Sequence, residues 1–278
     1  MEDGSPLPGR APAALARWQE GAWVDSDAPQ APAEAPVAIV IDGQSQAVLM
    51  ATPADLHDLA LGFALTEGMV AAAGDVQDFE QVAVEAGGLP AFEARLWLRP
   101  GTAAVLAERR RKMLGPVGCG LCGIDSIEQA LPPMRAVVSG LRIRPADVRA
   151  AMEALTRGQV RWRKTPAIHG ACLWQWGAAP VTREDVGRHN ALDKVMGALA
   201  RAGRDGAGGV IAMTSRLSVD LVQKAARMQA AAVIGASAPT TLAIAWAEAA
   251  GITLIGRARG DAFDLYTHPE RLEGYPDG

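Results

Sequence analysis

The residues with the clearest capacity for chemistry are two cysteines in a glycine-rich run, Gly118-Cys119-Gly120-Leu121-Cys122-Gly123. Glycines at 118, 120 and 123 remove side chains around both sulfurs, so a bulky partner or cofactor can approach them closely. Asp125 and Glu128 have capping-box spacing and predict a helix from about Asp125 through Ala130, which puts the cysteines beside a helix N-terminus. Amide dipoles at such an end favour a thiolate, and the run Arg109-Arg110-Arg111-Lys112 adds positive charge. A thiolate of this kind is the nucleophile that attack on a persulfide sulfur requires. The bland alternative, a pair of inert thiols, fits poorly, because structural cysteines are mostly buried in apolar surroundings. Cys122 is nearer the dipole, whereas Cys119 is better placed for access by a partner. Those two effects oppose each other, and spacing alone leaves the carrier open.

A metal centre competes with this reading. His169-Gly-Ala-Cys172 supplies two further soft ligands, so Cys119, Cys122, His169 and Cys172 make a possible Cys₃His zinc site. Such a chain would be a zinc-stabilised module that chaperones a nucleotide-containing cofactor without sulfur chemistry. The long stretch between the two pairs counts against a compact zinc module. A thioredoxin-like pair would follow the first strand of a βαβ unit, a context absent here. A zinc deaminase would place His-x-Glu before Pro-Cys-x-x-Cys, but the His-x-Glu of this chain is His268-Pro269-Glu270, far downstream.

Other polar groups gather where strands turn into helices. Asp185-Val-Gly-Arg-His-Asn190 is one such place; helix capping by Asn190 with solvated neighbours explains it as simply as a site does. Three later loops are expected at the C-terminal ends of parallel strands: 214–218, 237–240 and 257–262. The last contains Arg257, Ala258, Arg259, Gly260, Asp261 and Ala262, and its paired arginines suit a pyrophosphate. Ligands of open α/β sheets bind outside those strand ends, and capped helix N-termini suit phosphates. Neither a Walker A nor a Gly-x-Gly-x-x-Gly motif is present, so an ordinary nucleotide hydrolase or dehydrogenase is not indicated.

The elements that must position these residues divide the chain. Residues 1–35, rich in alanine and proline, read as a flexible arm; 36–140 read as an α+β segment carrying the cysteine loop, and 141–278 as an α/β domain. Asp42-Gly43 between apolar runs marks a hairpin. Thr52-Pro53 predicts a helix cap and first turn, with Leu56, Leu59, Ala60, Phe63 and Ala64 as the buried stripe and Gly68 as the stop. Residues 91–99 alternate as a half-buried strand, and a helix is expected over about 102–113. Pro145 begins another helix. From there strands at 171–176, 209–213, 232–235 and 252–255 alternate with helices near 190–201, 218–230 and 240–250, which predicts a largely parallel sheet covered on both faces. A net charge of −4 gives no general reason to expect nucleic-acid binding. The acidic, proline-rich start lacks an apolar signal segment, no stretch approaches about 20 apolar residues, and three cysteines do not make a disulfide framework. The expected compartment is the cytoplasm.

Taken together, several strings resemble the formate dehydrogenase accessory sulfurtransferase family, FdhD. They are Thr52-Pro53-Ala-Asp55-Leu56 with Leu59-Ala-Leu-Gly62-Phe63 and Glu67-Gly68; Cys119-Gly-Leu-Cys122-Gly123; Glu184-Asp185-Val-Gly187-Arg188-His189-Asn190-Ala-Leu-Asp193-Lys194; Ser237-Ala-Pro239-Thr240; and Leu254-Ile-Gly256-Arg-Ala-Arg259-Gly260. The chain departs from the family pattern at Pro166-Ala-Ile-His169-Gly-Ala-Cys172 and at Thr214-Ser215-Arg216. The resemblance implies a cytidine-deaminase-like layered α/β sheet without zinc, helices on both faces, and a smaller N-terminal α+β segment. It implies sulfur transfer from a cysteine desulfurase to the bis(molybdopterin guanine dinucleotide) molybdenum cofactor, bis-MGD, destined for formate dehydrogenase, by a homodimer. It places the persulfide on Cys119, with Cys122 assisting or closing a disulfide, and the cofactor at Arg257–Ala262.

Overall fold

A computed structural model of the chain describes residue 14 and residues 16–26, 31–102 and 136–276. The cysteine loop 118–123, the helix expected to follow Thr102 and the helix expected from Asp125 to Ala130 lie outside the described residues.

The N-terminal part is a four-stranded sheet in the order β4-β3-β6-β5, backed by one helix. Its strands are β3 (Ala35–Ile41), β4 (Gln44–Ala51), β5 (Val76–Ala86) and β6 (Leu89–Leu98), and the helix is α1 (Leu56–Thr66). Asp42 and Gly43 both have positive φ, 48° and 75°, the backbone that a two-residue hairpin between right-twisted strands requires. On β6 the alternation is seen as expected: Phe92, Ala94, Leu96 and Leu98 face α1. Helix α1 starts later than Thr52-Pro53 predicts, at Leu56 after Asp55 in the left-handed region. Thr52 is not its cap, and the reason lies in the site described below. Ahead of this sheet, β1 (Arg17–Gln19) and β2 (Ala22–Val24) pair as an exposed hairpin in which Trp18 meets Trp23 edge to face, centroids 5.3 Å apart.

The second part is a six-stranded sheet in the order β12-β11-β10-β9-β7-β8. Its strands are β7 (His169–Trp174), β8 (Val181–Asp185), β9 (Val210–Met213), β10 (Ala232–Gly235), β11 (Thr253–Arg259) and β12 (Ala262–Leu265). Only the β9/β10 and β10/β11 ladders are parallel; β7/β8, β7/β9 and β11/β12 are antiparallel. The sheet is therefore mixed rather than largely parallel, because hairpins close it at both ends. Helices α3 (Arg188–Arg201), α4 (Val219–Arg227) and α5 (Thr241–Ala250) cover one face through Leu192, Val195, Leu221, Val222 and Ala247. Helix α2 (Pro145–Gly158) covers the other with Val148, Ala151 and Leu155. The architecture is the layered α/β class expected, with helices on both faces and a smaller N-terminal α+β part.

The two parts meet where α1 lies on α3. A Cβ built on Gly62 would sit 1.7 Å from the Asp193 carbonyl oxygen, and one on Gly197 would sit 1.9 Å from that of Asp58. The helices thus touch backbone to backbone, which glycine alone permits. Beside this contact, buried Asp58 accepts from Arg183 Nε and Arg201 Nη1, each at 2.7 Å. At its other end Lys224 Nζ donates to Asp193, Glu67 and Thr66 within 3.0 Å. Burial works against the Lys224 charge, but Asp193 and Glu67 outweigh it and hold the ammonium charged.

Candidate functional site

One edge of the six-stranded sheet collects the polar groups that the sequence singled out. Strands β9 and β10 end there, and their following loops, 214–218 and 236–240, lead into α4 and α5. A Leu217↔Pro239 bridge ties the loops together. Strand β7 runs antiparallel to β9, so His169 at its start reaches the same edge, paired with Asp185 at the end of β8. Helices α3, α4 and α5 all begin at this edge, each presenting the positive end of its dipole. Of the three capped loops expected, two are connections from strand to helix. The third is a hairpin: Arg257, Ala258 and Arg259 belong to β11, and Gly260-Asp261 turns the chain into β12. A register shift between Gly256 and Arg259, with Arg257 at φ 50°, bends the tip. Arg257 is paired with Asp264 at 2.5 Å, which holds that carboxyl below its usual range, whereas Arg259 is exposed and reaches the Ala236 carbonyl at 3.4 Å.

Below the edge, Asp185 is fully buried and organises the turn between β8 and α3. Its Oδ2 takes Lys194 Nζ at 2.5 Å and the Thr52 amide at 3.0 Å; its Oδ1 takes the Gly187 amide and Asn190 Nδ2. Thr52 completes the clamp by accepting the Val186 amide on its hydroxyl and Lys194 on its carbonyl. This explains why Thr52 does not cap α1: its polar groups are committed to the other half of the molecule. Asn190 is likewise no cap, since its amide also bridges to the Met50 carbonyl at 2.9 Å. Glu184 accepts the amides of Arg161 and Trp162 and fixes the loop ahead of β7. Asp185→Ala would strand the Lys194 ammonium in the interior. A loss of about 3–5 kcal/mol is expected, read from the urea unfolding midpoint; a loss below about 1 kcal/mol would mean that Lys194 finds water.

On top of this base stand His169, Arg188, His189 and Asp220. His169 Nδ1 lies 3.4 Å from the Thr214 hydroxyl, which accepts the Gly170 amide at 3.0 Å. Burial, together with the charges of Arg188 and His189, pushes the His169 imidazole below its usual range. His189 Nε2 is paired with the Asp220 carboxylate. Arg188 Nε is buried without a partner among the described residues. Asp220 carries no motif, and its place at the start of α4, two residues after Ser218, was the one sign that it shares an edge with His189. The arrangement can bind anions and move protons.

The zinc alternative loses its geometry. His169 and Cys172 are of opposite parity on β7, so their side chains leave opposite faces of the sheet. Cys172 is fully buried against Val148, Ala151 and Leu155, and burial pushes its thiol up. It is a core residue, held as a protonated thiol, and cannot share a metal with His169. Among the described residues no helix is long and apolar enough to cross a membrane.

The fold and edge therefore define an α/β protein whose polar groups collect outside the ends of parallel strands. More particularly, residues 32–273 match the model of the FdhD/NarQ family, and the chain belongs to that family. It is 46% identical over 246 residues to a protein of Agrobacterium fabrum named sulfur carrier protein FdhD, covering 87% of this chain and 88% of that one. A namesake from Cupriavidus necator is 42% identical over 261 residues, covering 94% and 89%. The fold is that of a crystal structure described as a candidate formate dehydrogenase accessory protein from Desulfotalea psychrophila, with a TM-score of 0.72 at 22% identity over 92% of this chain and 96% of that chain.

Proposed function

We propose that this protein is a cytoplasmic, homodimeric sulfur carrier that takes sulfur from a cysteine desulfurase onto Cys119 and delivers it to bis-MGD for formate dehydrogenase. The observation that carries the reading is family membership over residues 32–273, with relatives named as sulfur carriers, in a chain that keeps the Cys119-Gly-Leu-Cys122 pair. In the loading step the Cys119 thiolate attacks the terminal sulfur of the donor's persulfide. A new S–S bond forms on Cys119, and the donor cysteine leaves as its thiolate. In the release step the Cys122 thiolate attacks Cys119 Sγ, the pair closes as a disulfide, and the sulfur leaves as hydrosulfide for the molybdenum of the bound cofactor. An external dithiol then restores the pair. Intact-mass measurement after incubation with a desulfurase and cysteine tests the reading: the chain should gain one sulfur, and no gain would sink it.

The cofactor's guanine-nucleotide arm is assigned to the β11–β12 tip, from Arg257 to Ala262. Guanosine diphosphate is expected to bind there as a partial mimic, and more weakly as salt rises. Because Arg257 is already neutralised by Asp264, Arg259 should carry more of the binding. Arg259→Ala is expected to weaken the diphosphate by about tenfold, the worth of one charge-assisted hydrogen bond, and Arg257→Ala by less. Binding unchanged in the double alanine variant, by calorimetry, would remove the assignment.

A further inference from the structure

Helix α3 carries an electrostatic conflict at its start. Arg188 and His189 occupy the first turn of this 14-residue helix, no acidic residue stands there, and the cap residue Gly187 has no side chain to offer. The positive end of a helix dipole disfavours cations, so two basic side chains at that end work against the fold. Only one of them is answered within the chain: His189 is paired with Asp220 in the first turn of α4.

Arg188 is not answered. Its Nε is buried with no hydrogen-bond partner, and no ion pair forms with it among the described residues. Asp185, the carboxylate just ahead of the helix, is already taken by Lys194, Asn190 and the amides of Thr52 and Gly187. Across the corner His169 offers no anion either; burial, and then the charges of Arg188 and His189, hold its imidazole below the usual range. Ser218 Oγ, ahead of α4, is also buried; it lies near Asp220 but outside hydrogen-bond geometry, and it caps no amide. A buried donor left without an acceptor is costly, and a charged one more so. The fold makes no use of the Arg188 guanidinium, so the acceptor that resolves the conflict comes from outside the chain.

We propose that this corner binds a phosphate group: Arg188 engages the oxyanion, Ser218 Oγ is a second donor, and the positive ends of α3 and α4 stand behind them. A planar guanidinium and two helix N-termini are matched to a tetrahedral oxyanion. The site does not rest on the sulfur-carrier reading and is separate from the nucleotide assignment at the β11–β12 tip, so its failure would leave both standing. Inorganic phosphate and the terminal phosphate of a nucleotide present the same oxyanion, and the test separates the two sources.

Full-length protein is titrated with inorganic phosphate at fixed ionic strength, with binding read from the phosphorus-31 line width. Arg188→Gln should weaken phosphate by at least about tenfold, and Arg188→Lys, which keeps the charge without the fork, by less. Arg227→Gln, which removes an exposed charge at the far end of α4, should bind as the unsubstituted protein does. Stability gives the second readout. In phosphate-free buffer the urea midpoint of Arg188→Gln should be no lower than that of the unsubstituted protein, because a cation has left the positive end of a helix. Added phosphate should raise the unsubstituted midpoint and leave that of the variant where it was. Guanosine diphosphate and guanosine identify the source. Diphosphate affinity that falls in Arg188→Gln, with guanosine unaffected, assigns the phosphate of a nucleotide; diphosphate indifferent to Arg188 while inorganic phosphate is not assigns the free ion. Equal phosphate binding with and without Arg188 would overturn the proposal. So would an Arg188→Gln protein that is less stable in phosphate-free buffer or does not fold, since Arg188 would then serve the fold itself.

Discussion

Cys119→Ala is expected to abolish persulfide loading and, with it, formate dehydrogenase activation, while Cys122→Ala keeps loading and part of activation. The physical argument has two opposing parts. Cys122 is nearer in sequence to the helix expected from Asp125, so the dipole favours its thiolate more. Exchange depends also on access and on intrinsic nucleophilicity, which falls as the pKa falls. Cys119, between Gly118 and Gly120, has the better access, and the family resemblance places the carrier there. In the Cys122→Ala protein the persulfide on Cys119 has lost the internal thiol that displaces its terminal sulfur, so an added thiol must take that part. Sulfide release should then depend on thiol concentration, whereas in the unsubstituted protein a single turnover needs none. Intact mass reads loading and a sulfide-trapping reagent reads release. Loading confined to Cys122 would move the carrier, and equal loss of loading in both variants would mean that the two thiols act as a unit. Cys172 gives an internal control. It is fully buried and its thiol is pushed up, so it should take no sulfur in any of these proteins.

What could be read from the sequence was what neighbours along the chain decide. The Asp42-Gly43 turn, the alternation of β6, strand β10 at 232–235, and Thr240 as the cap of α5, accepting the Ala243 amide at 3.2 Å, are all set by residues within a few positions of one another. Features set across the fold were not legible. Thr52 has the residue type of a helix cap, but its amide is claimed by Asp185, 133 positions away. The Arg257–Ala262 segment reads as a loop because Gly260 and Asp261 are turn residues, and the polar-apolar-polar order of Arg257, Ala258 and Arg259, which the fold exposes, buries and exposes in turn, was the missed sign of a strand. Strand β8 pairs antiparallel with β7, a pairing that the alternation of strands and helices did not foretell. At the site, His189 was visible in a distinctive string, whereas Asp220 acquires its meaning only when α3 and α4 begin at the same edge. A carboxylate in a first helical turn is ordinary on its own.

The same dependence on distant partners makes Gly62 and Gly197 the positions where one added carbon should cost most. Alanine at 62 would put its Cβ 1.7 Å from the Asp193 carbonyl oxygen and 2.8 Å from the Gly197 amide nitrogen; alanine at 197 would put it 1.9 Å from the Asp58 carbonyl oxygen. The obstructing atoms are backbone, so no rotamer change relieves the clash, and the helices must separate. Separation is opposed on both flanks, by Arg183 and Arg201 on Asp58 and by Lys224 and Thr66 on Asp193. Overpacking ordinarily costs about 1–3 kcal/mol, and with backbone on both sides a loss of about 3 kcal/mol or more is expected for either variant. Gly140→Ala, where the new carbon meets nothing within 4 Å, should stay within about 0.5 kcal/mol and serves as the control. Urea unfolding midpoints measure all three, and a loss below about 1 kcal/mol at Gly62 would mean that α1 and α3 are not in backbone contact. Function should suffer along with stability. Helix α3 begins with Arg188 and His189, and Asp185 just before it is held by Thr52 from the segment leading into α1. Shifting α1 against α3 therefore pulls on the clamp beneath the site.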